Sequence, residues 1–93
     1  MFVRVVRFTD VTAERVESLV ARIDDTGPPP GVSIKKLQLV FDEAQGTAVV
    51  LQYFDSEEDL QTGAEAFAAM DPSETPGSRA SVDAGELKVE RAL

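Results

Sequence analysis

Apolar and polar residues alternate in four stretches of the chain, and apolar residues recur every three or four positions in two others. Phe2 to Phe8 predicts a strand, rich in Val and Phe and bounded by Thr9-Asp10. One of its faces carries Val3, Val5 and Arg7, the other Phe2, Arg4, Val6 and Phe8, so both expect some cover. Thr12 to about Asp25 predicts a helix, with Val16, Leu19, Val20 and Ile23 on one stripe. Asp10 or Thr12 is placed to cap it, and Gly27 followed by three prolines ends it. Ile34 to Phe41 predicts a strand with Leu37, Leu39 and Phe41 on one face and Ile34, Lys36, Gln38 and Val40 on the other. A hairpin loop, Asp42 to Gly46, leads to a returning strand, Thr47 to Phe54. Its faces are Val49, Leu51, Tyr53 and Ala48, Val50, Gln52, Phe54. Glu57 to about Met70 predicts a second helix, opened by Ser56-x-x-Asp59 and buried along Leu60, Ala64, Phe67 and Met70. After a turn-rich loop, Asp71 to Gly77, a last strand is expected from about Ser81 to Arg91, with Leu87 and Val89 alternating with Glu86, Lys88 and Glu90.

The order β-α-β-β-α-β is the split-βαβ, ferredoxin-like plan. It predicts one α+β domain over residues 1–93, a four-stranded antiparallel sheet with both helices on one face. The most uniformly apolar sets, Val3, Val5, Leu37, Leu39, Val49, Leu51, Tyr53, Leu87 and Val89, are assigned to the helix-covered face. The opposite face then carries Phe2, Val6, Phe8, Ile34, Val40, Val50 and Phe54, with Arg4, Lys36, Gln38, Gln52 and the Glu86, Lys88, Glu90 row. That face is too apolar for water and too polar for a dry core. Either it packs on the same face of a second molecule, or it stays partly wet with its charges paired across strands. Pairing into a homodimer is the expectation, because a chain of 93 residues gains much from extra burial.

Composition narrows the chemistry. His, Cys, Trp and Asn are all absent. No Ser-His-Asp or Cys-His nucleophile, zinc site, iron–sulfur site or histidine-ligated haem can be built from such a chain. No cofactor and no metal site is expected. Nine basic against seventeen acidic residues leave a net charge of −8, which does not attract nucleic acid or an anionic membrane surface. Arg4 and Arg7 break the opening segment too early for a signal-peptide core. The longest apolar run, Ala66 to Met70, has five residues against the roughly 20 of a membrane helix. A cytoplasmic location is expected, and the excess of Arg over Lys with abundant Ala hints at a bacterial origin.

The opening strand, the helix Ala13 to Ile23, the hairpin Lys35 to Phe54 and the closing strand Leu87 to Arg91 together resemble the dimeric α/β-barrel, antibiotic-biosynthesis-monooxygenase-like superfamily. The resemblance spans nearly the whole chain and is architectural. It implies a homodimer whose two sheets form a barrel. Members oxidise aromatic polyketides without a cofactor, degrade haem, isomerise lactones or bind ligands. Of the Asn, Trp, Tyr and His side chains such members use, this chain contains only Tyr53.

Candidate ligand-binding residues are Arg4, Lys36, Gln38 and Gln52 as polar anchors, with Phe8, Val50 and Phe54 as apolar walls. They suit a small anionic or carbonyl-bearing molecule, or else pair with Glu86 or Glu90 across strands. No catalytic residue is identified. The run Glu57-Glu58-Asp59 reads as a solvated helix start. Gly27-Pro28-Pro29-Pro30-Gly31 reads as a stiff connector and lacks the N–H groups of a phosphate cradle. Ser73, Thr75, Ser78 and Ser81 read as turn residues, and Arg79 as a partner of Asp71, Glu74 or Asp83. The favoured function is a homodimer binding a small, partly apolar organic ligand between its sheets. A cofactor-independent monooxygenase or isomerase, and a protein-interaction module using the open sheet, are the alternatives.

Overall fold

The computed structural model describes residues 1–71 and 74–93. Ser73, read from sequence as a turn residue, lies outside that range. The elements follow the order β1 (Phe2–Thr9), α1 (Ala13–Thr26), β2 (Lys36–Asp42), β3 (Thr47–Phe54), α2 (Glu57–Ala68) and β4 (Ser78–Glu86). They form one antiparallel sheet in the order β2-β3-β1-β4, which is the ferredoxin-like arrangement. No helix among the described residues is long and apolar enough to cross a membrane.

Local chemistry fixes the helix ends. The Thr12 hydroxyl accepts from the Arg15 N–H at 3.3 Å, so Thr12 rather than Asp10 caps α1. Asp10 instead turns the chain, at φ 55°, a left-handed conformation that Asp tolerates better than most residues. Gly27, at φ 67°, closes the helix by donating to the Ile23 carbonyl. The Ser56 hydroxyl accepts from the Asp59 N–H at 3.1 Å, and three acids fill the first turn of α2.

The strand registers decide which side chains share a face. Across the sheet from β2 to β4, one face carries the rows Leu37–Gln52–Arg4–Ala84 and Leu39–Val50–Val6–Val82. The other carries Lys36–Tyr53–Val3–Gly85, Gln38–Leu51–Val5–Asp83 and Val40–Val49–Arg7–Ser81. Both helices lie on the first. Val16 of α1 packs on the cluster of Val6, Phe8, Val11, Ala48 and Val50, with Leu37, Leu39 and Phe41 at its margin. Leu60 and Gly63 of α2 are buried there too. A methyl group built on Gly63 would lie 2.6 Å from the Phe54 ring, and Phe54 exposes none of its surface. Burying Phe54 fully contributes about 2–3 kcal/mol.

The face assignment made from sequence is therefore reversed for β1 and β3. Val3, Val5, Val49, Leu51 and Tyr53 line the bare face, whereas Phe8, Val50 and Phe54 are core. Each of these strands offers two apolar faces, so uniformity of apolar character does not choose between them. The helices instead cover the face holding Phe8, Phe54 and the Arg4–Gln52 pair. Leu37 and Leu39 keep the side expected of them.

The last strand also starts earlier than its hydrophobic alternation indicates. It runs 78–86, not 81–91, because its partner β1 begins at Phe2, opposite Glu86. A final bond, Leu87 N–H to Met1 C=O at 2.8 Å, ends the ladder and leaves Val89 largely exposed. At the other end Gly77 enters the strand so closely that a Cβ there would sit 2.3 Å from the Thr9 carbonyl oxygen and 2.8 Å from Val11 Cγ2. Gly77→Ala is expected to cost about 2–3 kcal/mol, read as a lower urea midpoint with an unchanged denaturant slope.

Candidate functional site

The bare face of the sheet holds an open depression of about 300 Å³. Val3, Val5, Leu51 and Leu87 form its apolar lining, with Tyr53 on the β3 side and Asp83 on β4. Next to it the Tyr53 hydroxyl donates to Gln38 Oε1 at 2.8 Å, and Lys36 Nζ lies 5.1 Å from the Tyr53 ring centroid. The register explains the grouping. Lys36 is directly opposite Tyr53, and Gln38 directly opposite Leu51, so these side chains must share a face. Lys35 points elsewhere and pairs with Asp55 at 3.2 Å.

The seven candidates from sequence do not form one site. Lys36 and Gln38 are on the bare face, as expected. Arg4, Phe8, Val50, Gln52 and Phe54 are on the other side of the sheet, under the helices. Phe8, Val50 and Phe54 are packed core rather than walls of an open face. Arg4 and Gln52, direct partners across β1 and β3, each expose 4% of their surface. Tyr53, assigned from sequence to the helix side, is the residue that joins Lys36 and Gln38. Val3, Val5, Leu51 and Asp83 were not among the candidates either. The hairpin register was the signal that would have placed Leu51 and Tyr53 with Gln38 and Lys36.

Arg4 Nη1 donates to Gln52 Oε1 at 2.9 Å, and its guanidinium carbon sits 5.6 Å from the centroid of the Phe67 ring. No carboxylate pairs with it among the described residues, so the alternative of a cross-strand pair with Glu86 or Glu90 is not realised at Arg4 there. Glu86 is taken by Lys88. Burial, with a smaller push from the Arg79 charge, holds the Arg4 guanidinium below the usual arginine value. Arg79 makes no ion pair with Glu74 or Asp83 among the described residues; it donates to the Phe67 carbonyl at 3.4 Å. Glu74 faces Arg22 instead, at 3.9 Å. A second depression, about 350 Å³, runs between α1 and the segment around Glu74 and Thr75, bridged by Arg15 Nη2 donating to the Thr75 carbonyl at 2.8 Å.

The fold is thus of the ferredoxin-like α+β class, with one bare sheet face and a buried arginine on the covered one. No protein-family model and no curated protein matches the chain. Among solved structures it is similar to an uncharacterized NIPSNAP domain protein from Burkholderia xenovorans, with 16% identity, 97% of this chain and 95% of that chain covered, and a TM-score of 0.46. The fold assignment stands on the strand order and registers given above.

Gln52→Leu removes the hydrogen-bond acceptor of a buried cation. It is expected to cost about 2–3 kcal/mol. Arg4→Met combined with Gln52→Leu replaces both partners by apolar groups and is expected to recover most of that loss. Urea unfolding of the single and double variants measures the difference.

Proposed function

We propose that the chain acts as a homodimer holding a small, partly apolar organic molecule between two apposed sheet faces. One observation carries this reading: the bare face combines an apolar centre with a depression and a polar cluster beside it. Val3, Val5, Val49 and Leu51 occupy its two central strands, and Val40 on β2 is 59% exposed. A face of this composition favours cover. A two-fold pair uses the same patch twice, so the patch must complement itself. This one carries both signs, Arg7 and Lys36 against Asp83. Apposition would close a depression already of ligand-pocket size. The ligand's apolar part would lie on Val5 and Leu51, and Lys36, Gln38 and the Tyr53 hydroxyl would meet its polar end.

Sedimentation analysis over a range of concentrations is expected to give twice the 10.0 kDa mass of the chain. Leu51→Asp, at the centre of the face, is expected to return it to one chain without unfolding it. The neutral apolar dye Nile red is expected to bind the wild type saturably and the variant weakly. A wild type that sediments as a monomer at every concentration overturns the pairing, and equal dye binding by both proteins overturns the ligand site.

A further inference from the structure

The covered face offers a second and independent feature. Arg4 is a buried cation whose neighbours orient it without neutralising it. The Gln52 amide and the Phe67 ring are both uncharged, and Arg4 Nε is buried with no hydrogen-bond partner among the described residues. Removing an ion from water carries a desolvation penalty that such contacts only partly offset. Gln52 occupies the Nη1 end of the guanidinium, which leaves the edge formed by Nε and Nη2 as the unused one. That edge presents two parallel N–H groups, the donor pair that matches the two oxygens of a carboxylate.

The side of Arg4 toward β4 is the one the helices leave uncovered. α2 packs over β1 and β3, whereas every residue of β4 is exposed. The β4 residue opposite Arg4 is Ala84, with only a methyl group, and Val82 beside it is 43% exposed. These two give an apolar floor leading up to the guanidinium, with Phe67 as the wall. Arg79, bound to the Phe67 carbonyl, adds a second cation whose charge reaches Arg4. In a chain of net charge −8, this is a local positive site.

We propose that Arg4 is the head-group receptor for a small organic monocarboxylate lying over the exposed strand β4 beside α2. A single negative charge matches the single buried guanidinium. A phosphate dianion would bring a second charge that only the exposed, water-screened Arg79 faces. This position is on the opposite side of the sheet from the proposed pairing face and does not depend on it.

The test uses the whole chain and sodium hexanoate as probe, with hexanol and inorganic phosphate as controls. The Arg4 Nε–H signal in proton–nitrogen correlation spectra is expected to shift saturably with hexanoate and to stay still with hexanol. Arg4→Met is expected to weaken hexanoate binding at least tenfold, Arg4→Lys nearly as much because a lysine cannot grip two oxygens in one plane, and Arg79→Gln by a smaller factor. A still Nε signal, unchanged affinity in Arg79→Gln and Arg4→Lys, or tighter binding of phosphate than of hexanoate each overturns the proposal. The wild-type signal and Arg79→Gln keep it falsifiable should Arg4→Met fail to fold.

Discussion

The carboxylate of Asp42 accepts from the Gln45 N–H at 3.2 Å and from the Gln45 side-chain amide at 2.8 Å, while its carbonyl accepts from the Gly46 N–H at 2.9 Å. Gly46 completes the turn at φ 67°. These bonds hold Asp42 opposite Thr47 as the last pair of the β2–β3 ladder. The pairing sets the parity of the whole hairpin, because residues that face each other across antiparallel strands share a side. Leu37, Leu39 and Phe41 are thereby bound to the side of Gln52, Val50 and Ala48, and Lys36 and Gln38 to the side of Tyr53 and Leu51. The β1 registers carry the same sidedness across to β4. The Gly46 carbonyl also accepts from the Val11 N–H at 2.9 Å, which ties this turn to the chain entering α1.

That parity explains what the sequence shows and what it hides. Element order, the Ser56 N-cap, the glycine stop after α1 and the ferredoxin-like class follow from local pattern, since capping and periodicity act over a few residues. Sidedness does not. Counting the loop as Asp42 to Gly46 sets Phe41 opposite Thr47 and puts Leu37 with Leu51; ending it one residue shorter puts Leu37 with Gln52. A single residue of loop length thus moves every β3 side chain to the other face. The strands give no warning, because Val49, Leu51 and Tyr53 are as apolar as Ala48, Val50 and Phe54. The same shift divides the candidate site, leaving Lys36 and Gln38 on one side and Arg4 and Gln52 on the other. The early start of β4 is hidden for a different reason. Its residues Ala80, Val82, Ala84 and Gly85 carry little hydrophobic signal, and the ladder with β1 places them, not their own pattern.

The helix layer is uneven. α2 seats Gly63 on the ring of Phe54 and buries Leu60, whereas α1 buries no residue fully and leaves Val20 44% exposed. α1 is held at its start by Val16 on the core, and along its length by Arg15 to the Thr75 carbonyl and by the Arg22–Glu74 pair. The last of these is an exposed pair that contributes little. Opening of the molecule is therefore expected to begin at α1 and not at α2, since local stability follows buried apolar contact.

The two sides of the sheet consequently differ in the chemistry they can offer. On the bare side, polar groups stand around an apolar centre, and each has a satisfied or solvated alternative: Tyr53 bonds Gln38, and Lys36 lies over an aromatic ring in contact with water. Such groups can meet a ligand or a second copy of the chain at small cost. On the covered side, Arg4 has no such alternative. Its charge is buried, its Nε–H is unmet among the described residues, and the neighbouring charge that acts on it, Arg79, has the same sign. A neutral residue of similar length would fill the space between Gln52 and Phe67 with less desolvation cost. The desolvation of an arginine at this position is therefore only partly offset by the Gln52 amide and the Phe67 ring, and the proposed carboxylate would supply the opposite charge.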